Sequence, residues 1–273
     1  MSAQLREAAS VILLRRAEPG YEVFLLRRHQ KASFMASAFV FPGGASEEGE
    51  DARTTAAREL FEEAGVMLAR SEPALDATTL EIPIQAQLRK RMLAGDKAQE
   101  VMSRARLEWS TEALVAWSHW ITPSAEPKRF SARFFLGEIP AGQDPSFDDI
   151  ETVDQVWVRP RQALEQAGKL CLPPPQLRTF WELAHLDTIE DVLAAGRARA
   201  DEPHPIMPRL KGPTQADPRL CLLLPWDPEY TDAGTGDATP LTYTPSWAVG
   251  PSRFVMEDKA WKHVSAPGST TTA

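Results

Sequence analysis

Three glutamates, Glu59, Glu62 and Glu63, stand at i, i+3 and i+4 in the run DARTTAARELFEEA (51–64). A helix brings those positions to one side, so three carboxylates share a face. Such charges repel by roughly a few tenths of a kcal/mol per pair on a solvated helix, and helix stability does not call for them. A divalent cation relieves the repulsion, and Mg2+ or Mn2+ prefers hard oxygen donors with retained waters. Arg58, one turn from Glu62, is placed to hold a carboxylate bidentately and fix its rotamer. The competing reading is a solvated acidic helix face, the usual fate of a charge run. Against it stand Gly43-Gly44 upstream, Gly65 downstream and a strand that precedes them.

The elements around this face follow from local pattern. Residues 51–64 predict a helix that stops at Gly65, a residue suited to a left-handed C′ position. Ala52, Ala56, Leu60 and Ala64 form a small apolar stripe that can pack closely on a sheet. AASVILLRR (8–16) and YEVFLLRR (21–28), separated by Pro19-Gly20, predict two strands and a turn. FVFPGG (39–44) predicts a third strand and VMLAR (66–70) a brief one. In residues 84–110, Leu88, Met92, Val101 and Leu107 have loose helical spacing interrupted by Gly95, which predicts two helices. Strands return at 114–122, 129–139 and 153–160. A helix is expected over 160–170 and, after Pro173-Pro174-Pro175, a helical pair over 176–200 with Asp187-Thr188 as the cap between them. Beyond residue 201 proline, glycine and threonine become frequent. RLCLLLPW (219–226) and RFVMED (253–258) predict a β-rich appendage on the main domain, and APGSTTTA (266–273) a disordered tail. The expected division is a main domain of residues 1–200 with a helical insert at about 71–112, and an extension of residues 201–273.

Composition narrows the function classes. The 273 residues carry 30 Lys+Arg against 38 Asp+Glu, a net charge of −8, with 43% hydrophobic and 25% charged residues. That balance can bury a core, which excludes disorder over most of the chain. The acidic excess argues against a nucleic-acid partner. No apolar run reaches the length of a membrane span, and MSAQLREAASVILLRR lacks a secretory pattern. Cys171 and Cys221 make no disulfide framework and are expected to be reduced and buried. The expectation is a cytoplasmic protein with neither a nucleic-acid nor a membrane partner, a homodimer being left open.

Residues 44–66, GASEEGEDARTTAARELFEEAGV, resemble the signature box of the Nudix hydrolases. Gly44 is followed after five residues by Glu50, after seven more by Arg58-Glu59-Leu60, then by Glu62-Glu63 and Gly65-Val66, with no gap or substitution at the defining positions. A chance match has a probability on the order of 10⁻⁹ per start site at average residue usage. The resemblance implies an α/β fold, the Nudix α/β/α sandwich with a mixed sheet, here carrying the helical insert and the C-terminal extension. It also implies cleavage of a nucleoside diphosphate linked to another moiety, with Mg2+ (or Mn2+) and an attacking water. Carried over by residue, Glu59, Glu62 and Glu63 are the expected metal ligands with a backbone carbonyl from Gly44, and Glu50 and Arg58 orient the set. A metal would also let a protein of net charge −8 accept a polyanion. A later-loop carboxylate serves many relatives as ligand or base. Glu151, six residues before Trp157, is the candidate, with Asp148, Asp149 and Asp154 as competitors.

Several further segments resemble the acyl-CoA diphosphatase branch, whose animal members are peroxisomal. These are FLLRRHQKASFMASAFVFPGG (24–44), WSHWITP (117–123), KRFSARFFL (128–136) and LPPPQLRTFWEL (172–183). The implied substrate is CoA or acyl-CoA, cut to 3′-phospho-ADP and (acyl-)4′-phosphopantetheine. The 3′-phosphate calls for basic groups. Arg27, Arg28, His29 and Lys31 precede the glycine pair and Lys128-Arg129 opens a later strand, which makes Arg27, Arg28, Arg129, Gly43 and Gly44 the expected substrate contacts. His119 reads as a packed or hydrogen-bonded strand residue, and Trp117, Trp120, Phe130, Phe134 and Phe135 read mainly as core. The sequence departs from its relatives at several points. Ser33 and Ser37 stand where a separate CoA-cleaving branch has arginine and glycine, and Ser131 stands where the favoured branch has aspartate. The long insertion of the animal enzymes is absent from the box, and the terminal Thr-Thr-Ala carries no peroxisomal address. The alternatives are therefore a Nudix diphosphatase for ADP-ribose, NADH or another nucleoside diphosphate derivative, and a catalytically inactive Nudix-fold sensor. The intact set of glutamates speaks against the second.

Overall fold

The computed structural model describes residues 4–31, 35–71, 75–76, 82–200, 202–215 and 217–267. Ser33 and Phe34 of the lead-in and residues 268–273 of the expected disordered tail lie outside the described residues. Ala266, also assigned to that tail, is buried.

The centre is a pair of long strands, β1 (Leu5–Arg16) and β2 (Tyr21–Arg28), joined across Pro19-Gly20. The chain then crosses the sheet. β3 (Phe39–Val40) pairs with β2, while β4 (Gly43–Ala45) pairs with β1. The short strand expected before Pro42 is β3, and the glycines expected only to stop it begin a second strand, β4, because Phe41-Pro42 carries the backbone from one neighbour to the other. Helix α1 (Ala52–Ala64) begins where Asp51 accepts the Thr54 amide at 2.7 Å, and it ends at Gly65 in the left-handed conformation (φ 70°). Next come β5 (Ala69–Ser71), β6 (Leu75–Asp76), α2 (Ile82–Leu93), α3 (Ala98–Arg104) and β7 (Leu107–Trp109). Two insert helices form as their spacing predicts. The insert is not helical throughout, however, for 107–109 and 75–76 both pair with 69–71 in a small antiparallel sheet. The strand expected at 66–70 is displaced to 69–71 for the same reason.

β8 (Val115–Ile121), β9 (Arg129–Glu138) and β10 (Thr152–Val158) complete a seven-stranded mixed sheet. The path is β10-β2-β1-β9-β8, with β1 and β9 parallel and every other pairing antiparallel. β1 is central, so both of its faces are covered. Ala9, Val11 and Leu13 meet Ala56, Ala57, Leu60 and Ala64 of α1, while Ile12 and Leu14 face the opposite layer. That layer follows the short helix α4 (Pro160–Glu165), which ends before the expected residue 170. It consists of α5 (Pro174–Leu183) and α6 (Ile189–Arg199), which supply Leu177, Phe180, Leu183, Ile189 and Val192. Thr188 and Asp191 form a reciprocal capping box at the start of α6. The result is an α/β/α sandwich.

The remaining chain builds an antiparallel four-stranded sheet from β11 (Arg209–Lys211), β12 (Cys221–Leu223), β13 (Arg253–Glu257) and β14 (Ala260–Val264), with the short α7 (Tyr230–Ala233) between β12 and β13. It shares the main core through Leu224 and Phe254. Arg178 of α5 is 1% exposed and fastens this sheet to the sandwich. It donates to the carbonyls of Trp247 (2.8 Å) and Val249 (2.8 Å) and pairs with Glu182 at 2.7 Å. Glu182 also meets Arg199 at 2.9 Å. Of the two free thiols, Cys221 is buried as expected but Cys171 is exposed. Among the described residues no helix is long and apolar enough to cross a membrane.

Removing Arg178 leaves Glu182 with Arg199 alone and strips the Trp247 and Val249 carbonyls of their buried donor. Arg178→Met is therefore expected to lower unfolding stability by about 3–5 kcal/mol, measured by denaturant titration. A change within about 0.5 kcal/mol, the range of an ordinary surface substitution, would show that the extension does not depend on this anchor.

Candidate active site

Helix α1 presents the three glutamates toward the β4 loop, and the sheet beneath explains why they are buried. The apolar stripe holds the helix so close to β1 that the acidic face is pressed against the glycine pair. A Cβ on Gly44 would lie 2.5 Å from Glu59 Oε1, and one on Gly43 would collide with Ser10 and the Ala9 carbonyl. At Gly43, where the obstacle is the β1 backbone, only glycine allows this approach. The Gly43 amide donates to Glu63 Oε2 at 2.9 Å.

Arg58 organises the other carboxylates. Its Nε and Nη2 grip both oxygens of Glu50 at 2.8 and 3.0 Å, and its Nη1 reaches Glu59 (2.8 Å) and Glu62 (3.0 Å). Nη2 also donates to the Ala45 carbonyl at 2.9 Å. Burial pulls the Arg58 pKa down, but the hydrogen bond to Glu50 and the charges of Glu59, Glu62 and Glu50 outweigh it, so the cation is held more firmly than usual. For Glu50, burial is likewise outweighed, by Arg58 and the Glu47 amide, and its pKa is lowered. Glu59 and Glu63 are affected the opposite way. Burial, only partly offset by Arg58, pushes Glu59 up to about 7. Burial and the neighbouring Glu59 carry Glu63 well above the carboxylate range, against the Gly43 amide and Arg28. Glu62 is raised by burial as well.

The second loop, 139–151, and the start of β10 sort the four candidate acids by their backbone contacts. Asp148 accepts the amides of Ile150 (2.7 Å), Glu151 (2.9 Å) and Thr152 (3.0 Å), so it caps the loop. Asp154 bonds the adjacent Gln155 amide at 2.9 Å, and Asp149 occupies the left-handed region at φ 62°. Glu151 is exposed, and its charge adds to the rise of both Glu59 and Glu63. The His29 amide donates to its carbonyl at 2.9 Å.

The basic candidates separate. Phe24 and Leu26 of β2 pack on the α1 side and Val23 and Leu25 on the other. By that alternation Arg28 faces the carboxylates and Arg27 faces away. Arg28 Nε is buried with no hydrogen-bond partner among the described residues. Arg129 is engaged elsewhere, donating to the Thr122 carbonyl at 3.1 Å beside Met207 Sδ. The structure therefore brings together Glu50, Arg58, Glu59, Glu62, Glu63, Gly43, Gly44, Glu151 and Arg28, but not Arg27 or Arg129. His119 is packed and bonded as expected. Ser131 Oγ donates to Glu7 Oε2 at 3.0 Å, so His119 Nε2 is the donor in its 2.9 Å contact with Ser131. Burial lowers His119 to about 4.

Arg89 carries no sequence signal, being one of several cations on α2. Yet its guanidinium donates to the Glu62 (2.9 Å) and Glu63 (2.8 Å) carbonyls and to Ser146 O (2.9 Å) and Oγ (3.0 Å). It ties the end of the acidic helix to the loop that bears Glu151.

Residues 50–186 match the NUDT19 Nudix domain, and residues 4–80 match the NUDIX domain. The chain belongs to the Nudix hydrolase family. A Caenorhabditis elegans relative, nudix hydrolase 7, is 30% identical over 200 residues, covering 70% of this chain and 63% of that one. The acyl-coenzyme A diphosphatase NUDT19 of Xenopus laevis is 26% identical over 235 residues, covering 63% and 62%. The chain thus spans somewhat under two thirds of the length of these relatives. The human protein of the same name is 31% identical over 161 residues, covering 54% of this chain and 43% of its own. A crystal structure of a NUDIX hydrolase from Alicyclobacillus acidocaldarius superposes with a TM-score of 0.63 at 24% identity, covering 70% of this chain and 96% of that one. This confirms the Nudix fold.

The donor set fits a divalent cation. It consists of hard oxygens, and the Glu59 and Glu63 carboxyls are held above their ordinary range by burial and mutual repulsion. As the side chains stand, Arg58 and the Gly43 amide occupy several of these oxygens, and no three acidic, histidine or cysteine groups among the described residues converge on one point. A raised folded-state pKa favours the protonated folded chain. The associated stability is full below pH 4.5 and is lost as pH rises through about 7. Metal-free protein should accordingly weaken between pH 5 and 8. Saturating Mg2+ or Mn2+ should raise Tm by about 3 °C or more at pH 8 and by less at pH 5, and Glu59→Gln should flatten that difference. Thermal melts at the two pH values test this, and equal shifts at both would refute it.

Proposed function

We propose that this chain is a Mg2+- or Mn2+-dependent diphosphatase that cleaves the pyrophosphate of CoA or acyl-CoA to 3′-phospho-ADP and (acyl-)4′-phosphopantetheine. The carrying observation is the set of buried, mutually repelling carboxylates on α1, kept in register by Arg58, within a stretch that matches the NUDT19 Nudix domain. The acyl-coenzyme A diphosphatases of Xenopus and human among its relatives support the choice of substrate.

Glu59, Glu62 and Glu63, with the Gly44 carbonyl, would hold the ion. When bound, it would neutralise the pyrophosphate and lower the pKa of water toward neutrality. The remaining work belongs to the chain. Arg58 and Glu50 keep the carboxylates oriented, and the Gly43 amide fixes Glu63. Glu151, free of the loop contacts that occupy Asp148, is placed to accept the proton of the attacking water or to add a further ligand. Arg28, with its unsatisfied Nε, faces the same space and offers a charge-assisted hydrogen bond to a phosphate oxygen. All the glutamates of the signature are present and assembled, which disfavours an inactive sensor.

Glu62→Gln and Glu63→Gln should each lower kcat by at least about 10²-fold, the scale of losing a key electrostatic group, with the fold kept. Wild-type turnover in both, or full activity in excess EDTA, would contradict the metal reading. Glu151→Gln should depress kcat more than KM and flatten the acid limb of the pH–rate profile. A larger effect at Asp148, Asp149 or Asp154 would reassign the role. Product-resolved assays of CoA, acyl-CoAs, dephospho-CoA, ADP-ribose and NADH decide the substrate. If Arg28 meets the 3′-phosphate, CoA should exceed dephospho-CoA in kcat/KM by roughly 10- to 100-fold, the scale of a hydrogen bond to a charged group. Arg28→Gln should shrink that gap, and a clear preference for ADP-ribose would displace the CoA reading.

A further inference from the structure

A cavity of about 580 Å³ opens beside the acidic helix, between α2, the C-terminal end of α1 and the loop 139–151. Its position relative to the carboxylates is fixed by two residues. Ile150 lines it, and the next residue, Glu151, lies close enough to Glu59 and Glu63 to raise their pKa values. Arg89 forms another wall and sits within electrostatic reach of Glu63. The cavity therefore begins where the acidic face ends.

Its walls are tied together. Arg89 links α2 to the last carbonyls of α1 and to Ser146, and Gln143 brackets Met67, accepting its amide at 2.7 Å and donating to its carbonyl at 2.9 Å. A space held open in this way needs little ordering when a ligand enters. Its chemistry follows from what those bonds consume. Arg89 spends four of its five N–H groups on protein oxygens, which leaves a single Nη1 hydrogen and no free fork for an anion. Gln85, Lys90 and Asp144 add polar groups to the lining, while Phe61, Ala86, Leu93, Ala94 and Ile150 carry apolar surface on all three elements. Ile150 is 60% exposed, a large apolar side chain with its surface turned to solvent. The apolar side chains stand on α1, α2 and the loop alike, so a flexible aliphatic chain would bury area against all three walls while Lys90 and Asp144 stay at its polar margin.

We infer that this cavity is the subsite for the acyl chain carried on the pantetheine arm, so that the insert helix α2 selects acylated over free CoA. The inference rests on the CoA reading above and adds the chain preference and the residues that set it. The volume lies within the range of small-molecule sites, about 300–1,000 Å³, and accommodates a medium-length chain. Ala86 on α2 and Ile150 on the loop both line the cavity from different elements, and both are exposed, so substitutions there do not disturb a core.

The test measures kcat/KM of the full chain with Mg2+ for CoA, acetyl-CoA and decanoyl-CoA. Wild type should favour decanoyl-CoA over CoA. Ala86→Trp, which fills the cavity, and Ile150→Asp, which makes its rim polar, should each cut the decanoyl-to-free ratio by about tenfold or more, the scale of losing a few buried methylenes. Thermal melts establish that both variants are folded. Cleavage of CoA with no chain preference in wild type, or a ratio unmoved by both variants, would overturn the subsite. Wild type that cleaves neither CoA nor acyl-CoA would instead overturn the substrate reading on which it rests.

Discussion

The Arg58 guanidinium is 3% exposed and donates to oxygens of Glu50, Glu59, Glu62 and Ala45. It allows helix α1 to bury a row of acids that would otherwise belong in water. The compensation is incomplete by design of the geometry. Glu50, gripped by both Nε and Nη2, is lowered, whereas Glu59, with one contact, is raised to about 7. Glu63 has no hydrogen bond from Arg58 and is offset by the Gly43 amide and the charge of Arg28. A site that is short of positive charge when metal-free has a stored preference for a cation, which is the condition for holding one tightly.

That arrangement imposes conditions on the fold. The acids can be buried only if the helix lies flat against the sheet, which needs the alanine stripe and the glycine pair together. Because β1 must support α1 on one face, its other face needs its own cover, and α5 and α6 provide it. The C-terminal sheet then packs on this second layer through Leu224, Phe254 and the Arg178 anchor. In this order of dependence the extension stabilises the layer behind the sheet, while the insert shapes the space in front of it.

The insert touches the acidic helix at its C-terminal end, where carbonyls lack intrahelical partners. Arg89 satisfies those of Glu62 and Glu63 and binds Ser146 with the same guanidinium. One side chain thereby ties the acidic face to the loop that carries Glu151. In a small sandwich without such an insert, this loop would have to be positioned by its own turns.

The sequence by itself determined the local and periodic features. The 3.6-residue period placed Glu59, Glu62 and Glu63 on one face, Gly65 marked the end of the helix, and alternating or continuous apolar runs marked β1, β2, β8, β9 and β10. These depend on contacts within a few residues, which spacing records. Tertiary structure decided everything that depends on pairing across distance. The run 39–44 divides because its halves hydrogen-bond to different strands, and 107–109 becomes a strand because Ala69–Ser71 offers it an edge. Adjacent residues Arg27 and Arg28 look equivalent as text, but the pleat sends them to opposite faces, and only Arg28 meets the carboxylates. Spacing from Trp157 alone favoured Glu151 over Asp148, and only the folded loop shows Asp148 occupied by three backbone amides. Arg89 was invisible for the same reason: its role lies in four oxygens from residues 62, 63 and 146, brought together only by the packed chain.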